Sequence, residues 1–211
     1  MKQWFKRSKK STQIYLEEIE HLLDENRVLS NQVYFYEKNI ENLSRINEFK
    51  YYNKKILQYE EMHEKIFIVS VEEKLDRDGK LTNLEFMLHD MSDSRSIVRW
   101  HTHIDCDVLY DKNFGFIKRL YIHDFQTRSP NQGYGTLLMK VFLDYISHHF
   151  KVKEVLVTGW LSSEDEKDED NHQRRDYFYQ KFGFEIREEH IYKKIECNKA
   201  RVFSNFKVTE K

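Results

Sequence analysis

The residues best placed to do chemistry in this 211-residue chain are grouped around one short step, Gly133-Tyr134-Gly135. Upstream, Phe116, Ile117, Leu120 and Ile122 make an apolar run of strand length, and a polar loop with the only proline, Pro130, follows. Downstream, Leu137, Leu138, Val141, Phe142, Tyr145 and Ile146 recur at the three-and-four spacing of an amphipathic helix. The glycines therefore fall where a strand turns into a helix N-terminus. The first N–H groups of a helix have no internal partner and carry the positive end of its dipole, and glycine lets the backbone come close, so a phosphate or pyrophosphate can be cradled there. A dinucleotide-binding fold is excluded: Leu138 stands where its third glycine is required, and Glu154, the nearest acidic residue for its ribose contact, precedes its strand.

Two other groupings invite a chemical reading. His101 and His103 share one face of a strand expected around Val98, Trp100, Thr102 and Ile104, with Cys106 and His123 not far along the chain. Zinc needs three or four converging ligands and only one pair has supporting spacing, so no metal is expected. The carboxylates between Glu164 and Asp170 read as a solvated loop, with attraction of a cationic amine as the second reading.

Two motifs then carry a resemblance. Pro130-Asn131-Gln132-Gly133-Tyr134-Gly135, followed by Thr136-Leu137-Leu138, resembles the strand, Arg/Gln-x-x-Gly-x-Gly/Ala, helix signature of the GNAT superfamily of acetyl-CoA-dependent N-acetyltransferases. Tyr177-Phe178-Tyr179-Gln180-Lys181-Phe182-Gly183-Phe184 looks like the family's second motif, after a strand expected over Val155 to Leu161. The resemblance implies an α/β (α+β) fold, a mixed, mostly antiparallel twisted sheet flanked by helices. It implies acetyl transfer to a primary amine, a small cationic amine or a protein amine, with acetyl-CoA as cofactor. It assigns the pantetheine arm to the backbone of Leu120, Tyr121 and Ile122, and the pyrophosphate to the amides of Gln132, Gly133, Tyr134, Gly135 and Thr136. Pro130 replaces the usual Arg or Gln, which leaves Arg128 or Gln132 for a side-chain phosphate contact. Tyr179 falls on the tyrosine that protonates the leaving sulfur; its alternative role is packing beside Phe178 and Phe182. His123, at the end of its strand, is the candidate base, since histidine exchanges protons near neutral pH. The family's helices between the first two strands are missing from this sequence, and Tyr51 to Tyr59 is the segment left to take their place.

The elements that must position these groups come from the rest of the chain. With 39% hydrophobic and 15% aromatic residues there is material for one sizeable core and an appendage. A formal net charge of −1 argues against a nucleic-acid partner, and no apolar run is long enough to span a bilayer. The basic first ten residues lack the apolar core of a signal peptide, and Cys106 and Cys197 lack redox or metal spacing, so a cytoplasmic protein with reduced thiols is expected. Between Ser11 and Glu64 there is neither glycine nor proline, and Ile19, Leu22, Asn26, Leu29, Val33, Tyr36, Ile40, Leu43 and Asn47 alternate at three and four. That is a heptad seam with asparagine at two of its five a positions, Asn26 and Asn47, which predicts a parallel homodimeric coiled coil. The expected organisation is a helical extension over 1–64 and an acetyltransferase-like domain over 65–211, whose first half reads as a meander of strands. The rival function is a non-catalytic coiled-coil interaction protein carrying a degenerate acetyltransferase fold. The acceptor amine is not legible.

Overall fold

The computed structural model describes residues 2–44, 46–93, 95, 99–113, 115–161 and 169–197. The glycine-free N-terminal sequence forms one helix, α1 (Lys2–Ser44), and the chain divides into two compact units, Met1–Ile46 and Asn47–Lys211. Among the described residues of its own unit, nothing covers the seam expected along α1. Ile19, Leu22, Leu29, Val33, Tyr36 and Ile40 are each 51–69% exposed, while the Leu43 side chain lies outside the described residues. Asn47 is not on this helix. It belongs to the short α2 (Ile46–Tyr51), which ends at Asn53 with φ 55°, the left-handed conformation that asparagine tolerates and a helix cannot continue through.

The helical extension expected over 1–64 is therefore too long. Residues 54–62 are a strand, β1 (Lys54–Met62), joined to β2 (Lys65–Leu75) by the two-residue turn His63-Glu64, both at positive φ. The open edge of β2 offered backbone pairing that local helix propensity could not match. The segment Tyr51 to Tyr59 thus contributes an edge strand rather than a substitute for missing helices. The meander continues through β3 (Leu81–Asp90), β4 (Thr102–Tyr110) and β5 (Ile117–Thr127). β4 starts later than the strand expected from Val98, a residue outside those described, and Trp100 precedes it outside any regular element.

Beyond β5 come α3 (Tyr134–His149), β6 (Glu154–Trp160), α4 (Glu169–Lys181), β7 (Glu185–Arg187) and β8 (His190–Glu196). One eight-stranded sheet results, in the order β1-β2-β3-β4-β5-β6-β8-β7, and among the described residues only β5 and β6 run parallel. A mixed, mostly antiparallel sheet flanked by helices is what the sequence led us to expect. The parallel pair needs a crossover, which α3 supplies. Leu138, Met139, Val141, Phe142, Tyr145 and Ile146 of α3 are buried, with Phe142 and Tyr145 edge-on to Phe86 of β3 at 5.1 Å between ring centroids. Each such side chain stabilises the fold by about 1.5–3 kcal/mol. On the other face, fully buried Phe49 of α2 stands edge-on to His89 at 5.0 Å, and His89 Nε2 lies 2.9 Å from Ser70 Oγ. That serine–histidine pair is sealed in the core and has no access to substrate.

Candidate active site

The cavity arises from a change of register in β5. Leu120 and Ile122 alternate into the core, but the next inward residue is Phe125, three positions on, because His123 is an extra residue. β4 shows it directly: Cys106 pairs with Ile122, whereas Asp105 pairs with Asp124. A bulge of this kind bends its strand and sharpens the twist. β5 and β6 pair only from Arg119 with Leu156 to Ile122 with Gly159 and then part. Gly159 marks the vertex, since a Cβ there would lie 3.0 Å from the Ile122 carbonyl oxygen. Past it opens a cavity of about 580 Å³, lined by His123 to Thr127 on one side and by Trp160, Leu161 and α4 on the other.

The N-terminus of α3 faces this opening. Gly133 caps the helix at φ 83°, a conformation costing most residues about 1–2 kcal/mol, and Gly133, Tyr134, Gly135 and Thr136 all line the cavity. The glycine cap has no side-chain hydrogen bond to offer, and no side-chain oxygen caps the first amides among the described residues. Tyr134 fixes the helix start through its ring, 4.4 Å from His101 and 4.8 Å from Phe67. The β1–β2 turn braces the loop ahead of it: His63 Nε2 lies 3.1 Å from the Gln132 carbonyl oxygen. The strand-to-helix turn itself is the one the glycine spacing anticipated.

Tyr179 is set by the end of α4. Gly183 takes φ 72°, the Phe184 amide donates to the Tyr179 carbonyl at 3.1 Å and the Gly183 amide to the Gln180 carbonyl at 2.8 Å. This is the Schellman arrangement, and its accompanying apolar contact is Phe184 against Tyr179 at 5.5 Å. The Phe-Gly-Phe sequence thus pins the last turn of α4, with Tyr179 7% exposed yet lining the cavity. Phe178 beside it stacks on Phe125 at 5.1 Å. Packing and access coexist at Tyr179, so its two expected roles are not exclusive.

His123 lines the same cavity and bonds through Nε2 to Asp107 Oδ2 at 2.7 Å. The hydrogen bond from His123 is the main reason that the Asp107 carboxyl sits below the usual carboxylate range, against a smaller opposing effect of burial. The four groups that mimicked a metal site are dispersed. His101 turns to Phe67 and Tyr134, His103 stacks on Trp100 at 4.2 Å, and Cys106 is buried with its thiol against the Leu84 carbonyl. Burial pushes that thiol far up, and both cysteines are free.

Several expected contacts move. Leu120, Tyr121 and Ile122 lie between β4 and β6 with a partner strand on either side, so the open edge is His123 to Thr127 instead. Ile122 alone of the three reaches the cavity. Arg128 sits over Trp100 at 4.9 Å and, like Gln132, is not in the cavity wall. Arg174, Arg175 and Lys181 of α4 are in it, though Arg175 already bonds Asp176. These cations, Phe125 and Gly159 were missed. The three-residue step from Ile122 to Phe125 and a glycine inside a strand pattern were the available signals. Of the acidic segment, Glu164 to Asp168 lie outside the described residues; Glu169 and Asp170 begin α4.

No protein-family model and no curated protein matches the chain. Among solved structures it is similar to Arabidopsis thaliana Naa50 in complex with the bisubstrate analogue CoA-Ac-MVNAL, at 20% identity over 51% of this chain and 68% of that one, with a TM-score of 0.33. It is also similar to Arabidopsis thaliana NAA60 in complex with a bisubstrate analogue, at 13% identity over 56% and 78% of the two chains, with a TM-score of 0.38. At this level of likeness, the chemistry of the cavity has to be read from its own geometry.

Proposed function

We propose that this chain is an acetyl-CoA-dependent N-acetyltransferase of the GNAT superfamily that acts on a primary amine. The observation that carries the reading is the wedge between β5 and β6, opening at the His123 bulge and running to the glycine-capped N-terminus of α3. A strand edge, an aromatic wall and a helix N-terminus in one cavity suit an acyl chain carried on a diphosphate. The residues fit the cofactor: α3 amides from Gly133 to Thr136 for the pyrophosphate, Arg174 and Lys181 for further phosphate charge, and the His123–Thr127 edge for the pantetheine arm. Acetyl-CoA, when bound, supplies a thioester ready for transfer.

The chain's own groups then have three tasks. His123 accepts the proton that the amine loses as its nitrogen bonds the acetyl carbon. Backbone N–H groups of the β5 edge polarise the carbonyl. Tyr179 gives a proton to the sulfur as the carbon–sulfur bond breaks, and both side chains are reset by exchange with water. The Asp107 carboxylate bonded to His123 and the Asp124 carboxylate in the cavity wall suit a cationic acceptor, whether a small amine or a protein amine. Acetyl-CoA should bind in the micromolar range and raise the melting temperature. The test is calorimetry with acetyl-CoA, together with release of free thiol in the presence of an amine panel. Neither binding nor thiol release would end this reading.

We also propose that the protein works in the cytoplasm as a parallel homodimer through α1. The exposed stripe from Ile19 to Ile40 supports that pairing, and it equally supports the rival reading of an interaction protein; thiol release with an amine separates the two.

A further inference from the structure

We infer that Asp107, held in place by Asn83, is the positioning residue that fixes His123 as proton acceptor for the incoming amine. This rests on the acetyltransferase reading and adds two residues to its site. His123 is the bulged residue of β5, and Asp107 stands on the neighbouring β4 opposite Tyr121, so the ring reaches across to a carboxylate that the regular register would not have offered it. A carboxylate only accepts, so Nε2 carries the hydrogen in that 2.7 Å bond, and in the neutral ring it is the other nitrogen, Nδ1, that has the lone pair. His123 lines the cavity, and Nδ1 has no hydrogen-bond partner among the described residues. One nitrogen is thereby occupied and oriented while the other is left as a base.

Asn83 extends the arrangement. Its Nδ2 donates to Asp105 Oδ1 at 2.7 Å and to Asp107 Oδ1 at 3.3 Å, while its own Oδ1 is buried with no partner. Two carboxylates cannot donate to that oxygen, so the amide is forced to this orientation and leaves an acceptor unsatisfied. Asn83 thereby ties two neighbouring carboxylates together, and one of them holds the histidine. The hydrogen bond that keeps Asp107 a carboxylate is the same one that fixes the tautomer.

The test compares the intact chain with Asp107→Asn and Asp107→Glu, using acetyl-CoA with spermidine, a lysine-containing peptide and a peptide with a free α-amine as probes. The wild type is expected to show the Nε2–H tautomer of His123 by nitrogen NMR, and Asp107→Asn to lose that preference. Turnover in Asp107→Asn should drop at least ten-fold with the KM for acetyl-CoA within two-fold, and Asp107→Glu should recover part of it. Melting temperatures check that the variants are folded. A wild type in the Nδ1–H tautomer, or an Asp107→Asn variant with undiminished kcat, overturns the positioning role and leaves the acetyltransferase intact. A wild type that neither binds acetyl-CoA nor acetylates any probe overturns both.

Discussion

Gly135 and Phe125 are in close contact: a Cβ on Gly135 would lie 3.1 Å from Phe125 Cζ, so the ring would have to give by a few tenths of an ångström, and 3.6 Å from Phe178 Cε2. The first turn of α3 is thereby seated on the aromatic stack that walls the cavity. Gly135→Asp should abolish the rise in melting temperature on adding acetyl-CoA, because it displaces Phe125 and puts a negative charge at the anion cradle. Gly133→Ala should behave differently. At φ 83° and with Met62 Cε 3.2 Å from the new methyl, it should lower the stability of the apo protein by about 1–2 kcal/mol. Thermal melts with and without acetyl-CoA separate these effects, and retained binding in Gly135→Asp would remove the cradle from the proposal.

Tyr179→Phe keeps the ring against Phe125, Phe178 and Phe184 and deletes only the hydroxyl. On the proposed chemistry, turnover falls by ten-fold or more while affinity for acetyl-CoA stays within a few fold. Steady-state kinetics beside a binding isotherm measure this. Loss of stability in step with activity would assign the hydroxyl to packing alone.

Asp90 ties the β2–β3 pair through Lys65 Nζ at 2.8 Å and through the Ser92 amide and hydroxyl. Burial pushes its carboxyl up, but the hydrogen bonds from Lys65 and Ser92 prevail and hold it below the usual range. A carboxyl whose folded pKa is depressed stabilises the fold above its unfolded value, and that contribution disappears as pH falls through the folded value. Lys65 is shifted up, chiefly by the Asp90 hydrogen bond, so its share is complete at neutral pH and lost only as pH rises past the ordinary lysine range. Asp90→Asn should therefore cost about 1 kcal/mol at pH 7, a figure reduced for the exposure of Lys65, and progressively less at an acidic pH below the ordinary carboxylate range. Denaturant melts at the two pH values check the difference.

The α1 stripe predicts a concentration-dependent dimer. Asn26 is its one internal a-position amide, since Asn47 belongs to α2. Asn26→Ile should raise the melting temperature of the assembly and relax its oligomeric state, because a buried amide trades stability for register. Sedimentation of the intact chain at tens of micromolar decides: a monomer there would falsify the dimer.

What the sequence determined by itself was local. Glycine at Gly133 and Gly183 is dictated by backbone angles few other residues adopt, so the strand-to-helix step and the Phe-Gly-Phe cap could be read from residue types a few positions apart. The three-and-four spacing gave α1 and α3 for the same reason. The tertiary structure decided whatever depends on a distant partner. Lys54 to Met62 became a strand because β2 had an edge to fill, which a helix-favouring composition concealed. The bulge at His123 exists only relative to β4, and Asp107 meets His123 from sixteen positions away in the chain through that register. The opening of the wedge required Gly159 to approach Ile122 across a parallel pair, a contact set by the crossover of α3 and by no local preference.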